Sequence, residues 1–288
     1  MEKILYGKPV AHNLNEQIRI KVDQLPLKPG LSIIKFGSDP SAVFYFNNII
    51  RRCEKLGIQT YLEQLTMSVS TIELSEILSR INKDPHIHGI IIQKPLPPQI
   101  DEQAISNLIN SSKDIDGISP INLGKVFLAQ KCFTPCTAAA VIEIIKYYGI
   151  QTQGKHVVIL GRSPVVAKPL AGLLLQKNEL GNATVTICHT YTENLSALTQ
   201  SADILVAAIG KPAFVKADMI KDGAICLDVG INSVLNSEGK SVYIGDIDFD
   251  DCLEKVKAIT PVPGGIGSVT TEVLLDNLCK AAALFIGE

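Results

Sequence analysis

The chain of 288 residues carries little charge, and neither sign dominates. Lys and Arg number 27, Asp and Glu 29, for a net charge of −2. A broad nucleic-acid surface needs a basic stripe, so no nucleic-acid partner is expected. Long hydrophobic runs are missing as well. Hydrophobic residues make up 46%, yet no stretch reaches the roughly 20 apolar residues of a membrane-spanning helix, and no membrane partner is expected. The opening MEKILYGKP has neither the apolar core of a secretory leader nor the Arg-rich character of a transit peptide. Cysteine offers no framework: the seven are scattered and odd in number, as in reduced, cytoplasmic proteins. Cys132 and Cys136 stand four apart with no second Cys/His pair beside them, so no metal is expected. Internal repeats, low-complexity tracts and a Ser/Gly-rich linker are absent too. What remains is a globular chain long enough for two domains.

What is present is alternation. Leu31–Phe36 reads as a strand, Gly37-Ser38-Asp39-Pro40 as a turn, and Ser41 as the cap of a helix running to about Leu56, stopped by Gly57. Gln59–Leu65 is a second strand. Thr71–Asn82 is an amphipathic helix with Ile72, Leu74, Ile77, Leu78 and Ile81 on its apolar side. His88–Gln93 is a third strand, stopped by KPLPP, and Asp101–Ile109 a short helix. Such βαβαβα order implies a parallel sheet. Ser112–Pro120 is polar and turn-rich. Thr137–Tyr148, ended by Gly149, reads as a helix connecting two domains.

The second half alternates again, with strands at His156–Leu160, Ala183–Cys188, Ile204–Ile209, Ala224–Val229 and Val242–Ile244. Helices are expected at Val165–Lys177 and Leu195–Ser201. This is a Rossmann-like pattern. Its first unit is the most informative stretch of the chain: an apolar strand turns at Gly161, Arg162 and Ser163 into a helix. A helix entered that way aims free N–H groups at whatever sits in the crevice, a ready phosphate site. The spacing is G-x-S-x-x-x-A, which meets the dinucleotide fingerprint only in part, and a plain βα turn reads as well. Val269–Phe285 is a last helix, expected to return to the first domain. The fold class is thus α/β, with a parallel-sheet domain at 1–136 and 270–288 and a Rossmann-like domain at 137–269.

Several residues fall where parallel sheets bind ligands, at the strands' C-terminal edge. Tyr45 lies early on the first helix with Ile49 one turn on, though it reads equally as a half-buried tyrosine. Gln93 ends the third strand. Asp114 and Asp116 sit in a turn with Gly117, and such carboxylates are more often turn formers than acids. In Pro261–Gly267 two prolines stiffen a glycine-rich loop whose backbone can approach a flat ligand closely.

Together these motifs resemble the bifunctional methylenetetrahydrofolate dehydrogenase/methenyltetrahydrofolate cyclohydrolase family, known in bacteria as FolD. The matching pieces are FGSDPSAVFYF (36–46), IIIQKPLP (90–97), KDIDG (113–117), PCT (135–137), GRSPVVAKP (161–169), DVGIN (228–232), GDIDF (245–249) and ITPVPGGIG (259–267). They span nearly the whole chain in order. Departures cluster at the expected site. The family's Tyr-x-x-x-Lys is Tyr45 to Ile49 here, so its lysine is replaced. Gln-Leu-Pro becomes Gln93-Lys94-Pro95. Pro-Cys-Thr-Pro-Arg-Gly continues as Ala138-Ala139-Ala140, and Gly-Gly-Val-Gly-Pro-Met-Thr becomes Gly264-Gly265-Ile266-Gly267-Ser268-Val269-Thr270.

The resemblance implies a tetrahydrofolate derivative in a cleft between domains, NADP as cofactor, and a homodimer. Tyr45 would stack on the folate rings, Gln93 hold the one-carbon region and Asp116 bind the pterin edge. Ile49, Ile92, Lys94 and the loop Pro263, Gly264, Gly265, Ile266, Gly267 would complete the substrate contacts. Gly161, Arg162, Ser163, Thr190 and Ile231 would hold the cofactor. NADP is expected over NAD because no carboxylate follows the second Rossmann strand until Glu193, while Arg162 offers a phosphate fork. Tyr191 stands where many relatives carry a cation, so the preference is expected to be modest. Hydride transfer is mainly a matter of orientation, whereas the cyclohydrolase step needs proton handling that isoleucine cannot supply. Dehydrogenase activity is therefore expected to exceed cyclohydrolase activity. Lys94 is a weak candidate replacement, because it neighbours Gln93 and so points to the opposite face. The alternative reading is a folate- or nucleotide-binding paralogue that has lost catalysis and serves a regulatory role.

Overall fold

The computed structural model describes residues 2–235 and 239–286. The chain runs α1 (Gly7–Gln24), β1 (Gly30–Phe36), α2 (Pro40–Lys55), β2 (Gln59–Leu65), α3 (Thr71–Lys83), β3 (Gly89–Ile92), α4 (Glu102–Leu108), α5 (Pro120–Phe127) and α6 (Cys136–Tyr147). It continues through β4 (His156–Leu160), α7 (Ala167–Leu174), β5 (Thr184–Cys188), α8 (Leu195–Gln200), β6 (Ile204–Ala207) and β7 (Ile225–Asp228). Then come β8 (Asn232–Leu235), β9 (Ser241–Ile244), α9 (Phe249–Cys252), β10 (Ala258–Ile259) and α10 (Thr270–Ile286).

Two compact units result. One holds Leu14–Lys125, Lys131–Thr134 and the chain from Thr271 onward, around a parallel sheet of order β2-β1-β3. The other holds the chain up to Asn13, Val126–Gln130 and Pro135–Thr270, around a parallel sheet of order β10-β7-β6-β4-β5. Residues up to 13 thus cluster with the five-stranded unit, not with the three-stranded unit as expected. The reason is pairing: the Leu5 N–H donates to the Ile259 carbonyl at 2.8 Å and the Ile259 N–H to the Lys3 carbonyl at 2.9 Å. Residues 126–130 cluster there too, and α6 lies wholly inside that unit.

In the three-stranded unit, right-handed crossovers put α2 and α3 on opposite faces of the sheet. Leu74, Leu78 and Ile81 of α3 pack with Ile34, Phe36, Ile90 and Ile92. The alternate residues Leu31, Ile33 and Lys35 therefore face α2 and α10. Gly89, register partner of Leu31, marks how close α10 comes, since a Cβ there would lie 2.7 Å from Leu278 Cδ1.

Several expectations need correction. The α2 cap is Asp39, not Ser41: its Oδ1 accepts the Ala42 N–H at 2.9 Å, and Pro40 takes the first turn, where a missing N–H costs little. Ile72 does not join the apolar side of α3; it is 73% exposed. The third strand is only Gly89–Ile92. Helix α7 begins at Ala167, because Val166 (φ −126°, ψ −76°) is not helical. Val242–Ile244 does not join the Rossmann-like sheet but pairs antiparallel with β8 in a hairpin, and β10 supplies the fifth parallel strand. Helices α1 and α5 were not foreseen. For α1 the signal was present: Val10, Leu14 and Ile18 recur four apart and are buried.

Candidate active site

The larger cavity, about 760 Å³, opens at the C-terminal edge of the three-stranded sheet and lies wholly within that unit. Its wall includes Gly37, Asp39, Tyr45, Phe46, Gln93 and Asp116. Gly37 turns the chain out of β1 with a left-handed φ of +59°, a conformation glycine adopts without steric cost. The Asp39 cap then fixes the first turn of α2, which carries Tyr45. The Tyr45 ring is half exposed and meets the buried Phe46 ring edge-on, 5.2 Å between centroids. Gln93 continues the ladder past β3, its N–H donating to the Ile34 carbonyl at 2.9 Å. Its side-chain Oε1 accepts the Phe36 N–H at 3.0 Å. With the carbonyl end so occupied, the amide NH₂ is what Gln93 has to offer a ligand.

The two neighbouring acids divide their work. Asp114 is 1% exposed and accepts N–H groups from Ile118, Ser119 and the Asn122 amide at 3.1, 2.7 and 2.9 Å. Burial pushes its carboxyl up, against those hydrogen bonds. Asp114 is the turn former, while Asp116 lines the cavity. Lys113 anchors the same turn, a role that sequence reasoning missed. Its buried ammonium donates to the Ile81 and Asp84 carbonyls at the C-terminus of α3, at 3.1 and 2.7 Å, and burial lowers its pKa. Its carbonyl accepts the Ile90 N–H at 2.8 Å, tying the turn to β3.

Of the other expected substrate contacts, Ile92 and Lys94 line the cavity. The Lys94 ammonium is paired with Glu102 at 2.6 Å. Ile49 is fully buried and is not part of the wall. Pro263, Gly264, Gly265, Ile266 and Gly267 belong to the other unit. There they carry the N-terminal segment: the Gly7 N–H donates to the Gly264 carbonyl at 2.8 Å. Met67 and Leu274 line the cavity without having been foreseen. For Leu274 the signal was the expected return of the last helix.

A second cavity, about 390 Å³, lies in the five-stranded unit at the C-terminal ends of β4, β5 and β6. Counted within that sheet, the strand order is 2-1-3-4-5, so the order reverses between β4 and β6, where such sheets bind ligands. The lining includes Gly161, Arg162, Ser163, Thr190, Lys211 and Phe214. Gly161 has φ +118°, and a Cβ there would lie 2.2 Å from the Ala208 carbonyl oxygen. No side chain fits, and the backbone stays open to a ligand. Arg162 lies over the Tyr191 ring at 5.9 Å, and Lys211 over Phe214 at 5.2 Å. A bare turn flanked by two cations suits the phosphates of a dinucleotide. Ile231 does not line this cavity; it is 59% exposed, beside Gly267.

Two motif carboxylates hold the backbone behind this cavity. Asp246 is fully buried and accepts the N–H groups of Ile209, Gly210 and Lys211 at 2.6, 3.0 and 2.9 Å, and the Asn232 amide at 2.9 Å. Asp228 accepts the N–H groups of Gly230, Asp246 and Ile247 at 2.9, 3.1 and 2.8 Å. Burial pushes its carboxyl up to about 7, with the Asp246 charge adding to the shift and the N–H groups opposing it. Among the described residues no group of His, Cys, Asp and Glu is arranged to hold a metal, and no helix is long and apolar enough to cross a membrane.

Residues 5–116 match the model of the tetrahydrofolate dehydrogenase/cyclohydrolase catalytic domain, and residues 135–285 that of the NAD(P)-binding domain of the same proteins. Bifunctional protein FolD 1 of Desulfitobacterium hafniense (strain Y51) is 45% identical over 285 residues, covering 98% of this chain and 99% of its own. The crystal structure of the bifunctional FolD enzyme of Campylobacter jejuni superposes with a TM-score of 0.91 at 36% identity, covering 98% of both chains. The Trypanosoma brucei FolD, solved with NADP and an inhibitor, gives the same TM-score at 31% identity, covering 99% of this chain and 98% of its own. The order of the motifs, both domain models and these full-length likenesses agree that the chain belongs to the tetrahydrofolate dehydrogenase/cyclohydrolase family.

Proposed function

We propose that this protein oxidises 5,10-methylenetetrahydrofolate to 5,10-methenyltetrahydrofolate with NADP, and that the three-stranded unit binds the folate. The observation that carries the reading is the Gln93 amide. The Phe36 N–H fixes it in one orientation, in a wall shared with the Tyr45 ring and the Asp116 carboxylate. A pterin offers both a flat face for the tyrosine and N–H donors for the acid. NADP, when bound, supplies the hydride acceptor. The residues for it are Gly161, whose missing side chain leaves backbone open, Arg162 with its fork of donors, and Ser163 and Thr190 with their hydroxyls. Since the hydride passes directly from substrate carbon to cofactor, the protein's part is to orient both and exclude water.

NADP is favoured over NAD because Arg162 and Lys211 face a cavity whose second-strand edge, His189 to Thr192, carries no carboxylate. With the tyrosine at 191, the preference is modest. The protein acts as a cytoplasmic homodimer, a state that light scattering reads directly. The test of function is to mix purified protein with methylenetetrahydrofolate and each cofactor and follow the methenyl product by absorbance. Turnover with NADP is expected. A folded protein that binds NADP but turns over with neither cofactor would replace this reading with that of a binding paralogue.

A further inference from the structure

Lys35 is the next-to-last residue of the central strand β1, and it is buried, only 6% exposed. Its side chain makes no hydrogen bond or ion pair with any described residue, although most buried charges are paired. Its ammonium is not among the buried unpartnered atoms, so the little surface it keeps includes the nitrogen itself. The other charged groups near the larger cavity are engaged: Lys94 with Glu102, Asp39 with the first turn of α2, and Lys113 with the end of α3.

Register places Lys35 beside the cavity. Ile33 pairs with Ile91 and Ile34 with Ile92, and the Gln93 N–H bond to the Ile34 carbonyl extends the ladder one step. Lys35 and Gln93 are therefore neighbours across the sheet, with backbones about 4.8 Å apart. Their side chains leave the same face, the one covered by α2 and α10. Ile91 and Gln93 on that face line the cavity, as do Tyr45 and Phe46 of α2 and Leu274 of α10. Lys35 does not itself line the cavity; its flexible four-carbon stem, one strand away from Gln93, is long enough to extend the amine to that wall.

We propose that Lys35 is the proton-handling residue of a second reaction at this site, the hydrolysis of the methenyl product to 10-formyltetrahydrofolate. This rests on the folate reading above. In the step, water attacks the cationic carbon between N5 and N10, and a C–O bond forms. One water proton leaves to solvent. The adduct collapses as the C–N5 bond breaks, its electron pair passing to N5, which receives a proton from the Lys35 ammonium. The Lys35 amine so formed takes the second water proton as the formyl C=O forms, restoring the ammonium. One water is consumed and one proton released, with no change of oxidation state. Ile49, fully buried and without a titratable group, takes no part.

The test measures hydrolysis of added methenyltetrahydrofolate above the spontaneous rate, and NADP-linked oxidation of methylenetetrahydrofolate, in wild type, Lys35→Met and Lys35→Arg. The ratio of hydrolysis to oxidation should fall about 100-fold in Lys35→Met, the usual scale of a lost general acid–base group. Lys35→Arg keeps the stem and charge but cannot release a proton. It should lose the same ratio, and it decides the matter if Lys35→Met does not fold. A ratio within about twofold of wild type in the folded variant overturns the proposal, a change too small for a lost proton-transfer group. So does a wild type that oxidises but does not hydrolyse, which leaves the dehydrogenase reading intact. A wild type that does neither removes that reading and this proposal together.

Discussion

The two cavities are built in different ways. In the three-stranded unit the wall is made of side chains: a tyrosine, an amide and a carboxylate from α2, the end of β3 and a turn. In the five-stranded unit the side chains of the wall are joined by a bare glycine turn, and the backbone of residues 209–211 is held from behind by a buried carboxylate. A wall of side chains can be retuned one residue at a time, as the departure at Lys94 does. A backbone held in this way tolerates little change at the carboxylate, because losing it breaks several hydrogen bonds at once. Substitutions should therefore alter chemistry in the first cavity, and stability together with binding in the second.

The largest effect is expected at Asp246. Asp246→Ala leaves four donors without their acceptor. At about 1–3 kcal/mol for each buried unpaired group, denaturant unfolding should show a loss of at least about 3 kcal/mol. A loss below about 1 kcal/mol, the worth of one ordinary hydrogen bond, would break the comparison. Asp228 comes next and is read through pH. Its folded carboxyl holds its proton up to about 7, whereas the unfolded one releases it near 3.9. The native state thus binds more protons between those values. The stability this confers is complete below the unfolded pKa and is lost as pH rises through about 7. Unfolding of wild type against Asp228→Asn at pH 5 and pH 8 should diverge accordingly, by about 3 kcal/mol at most, from the roughly two units between pH 5 and the folded value at 1.36 kcal/mol per unit. Equal differences at both pH values would contradict the assignment.

Binding effects are smaller. Arg162→Ala removes a charged contact and should weaken NADP by about one to two decades, with NAD affected far less. Isothermal titration with each cofactor checks this, and an equal loss for both would remove Arg162 from the 2′-phosphate. Smallest of all is Lys94→Ala. Its pair with Glu102 is at the surface, where such pairs are worth about 0–1 kcal/mol. Stability should hardly change, nor should the ratio of hydrolysis to oxidation.

The alternation of the chain was legible because parallel strands buried on both faces read as apolar runs, as IIIQ and HVVIL do. Tyr45 and Gln93 were legible because strand ends and helix N-terminal ends fall at one edge of the sheet, whereas Asp116 was pointed to only by the family resemblance. The β8–β9 hairpin was not, since Val242–Ile244 has the composition of a sheet strand and only pairing tells the two apart. Nor was the grip of Asp246 on residues 209–211, because its partners are backbone groups some 35 residues away in sequence. Lys35 was hidden for a related reason. In LSIIKF a lysine reads as the exposed residue of a strand, and its burial depends on helices that pack later in the chain.

The most direct measurement of the central claim follows the hydride itself. Methylenetetrahydrofolate deuterated on the methylene carbon is incubated with NADP and the purified protein, and the reduced cofactor is analysed by mass spectrometry. Direct transfer in an oriented pair predicts deuterium on the reduced NADP in step with methenyl product, lost when Gln93→Ala removes the oriented amide. Reduced cofactor without deuterium, or no reduced cofactor from a folded protein that binds both ligands, would contradict it.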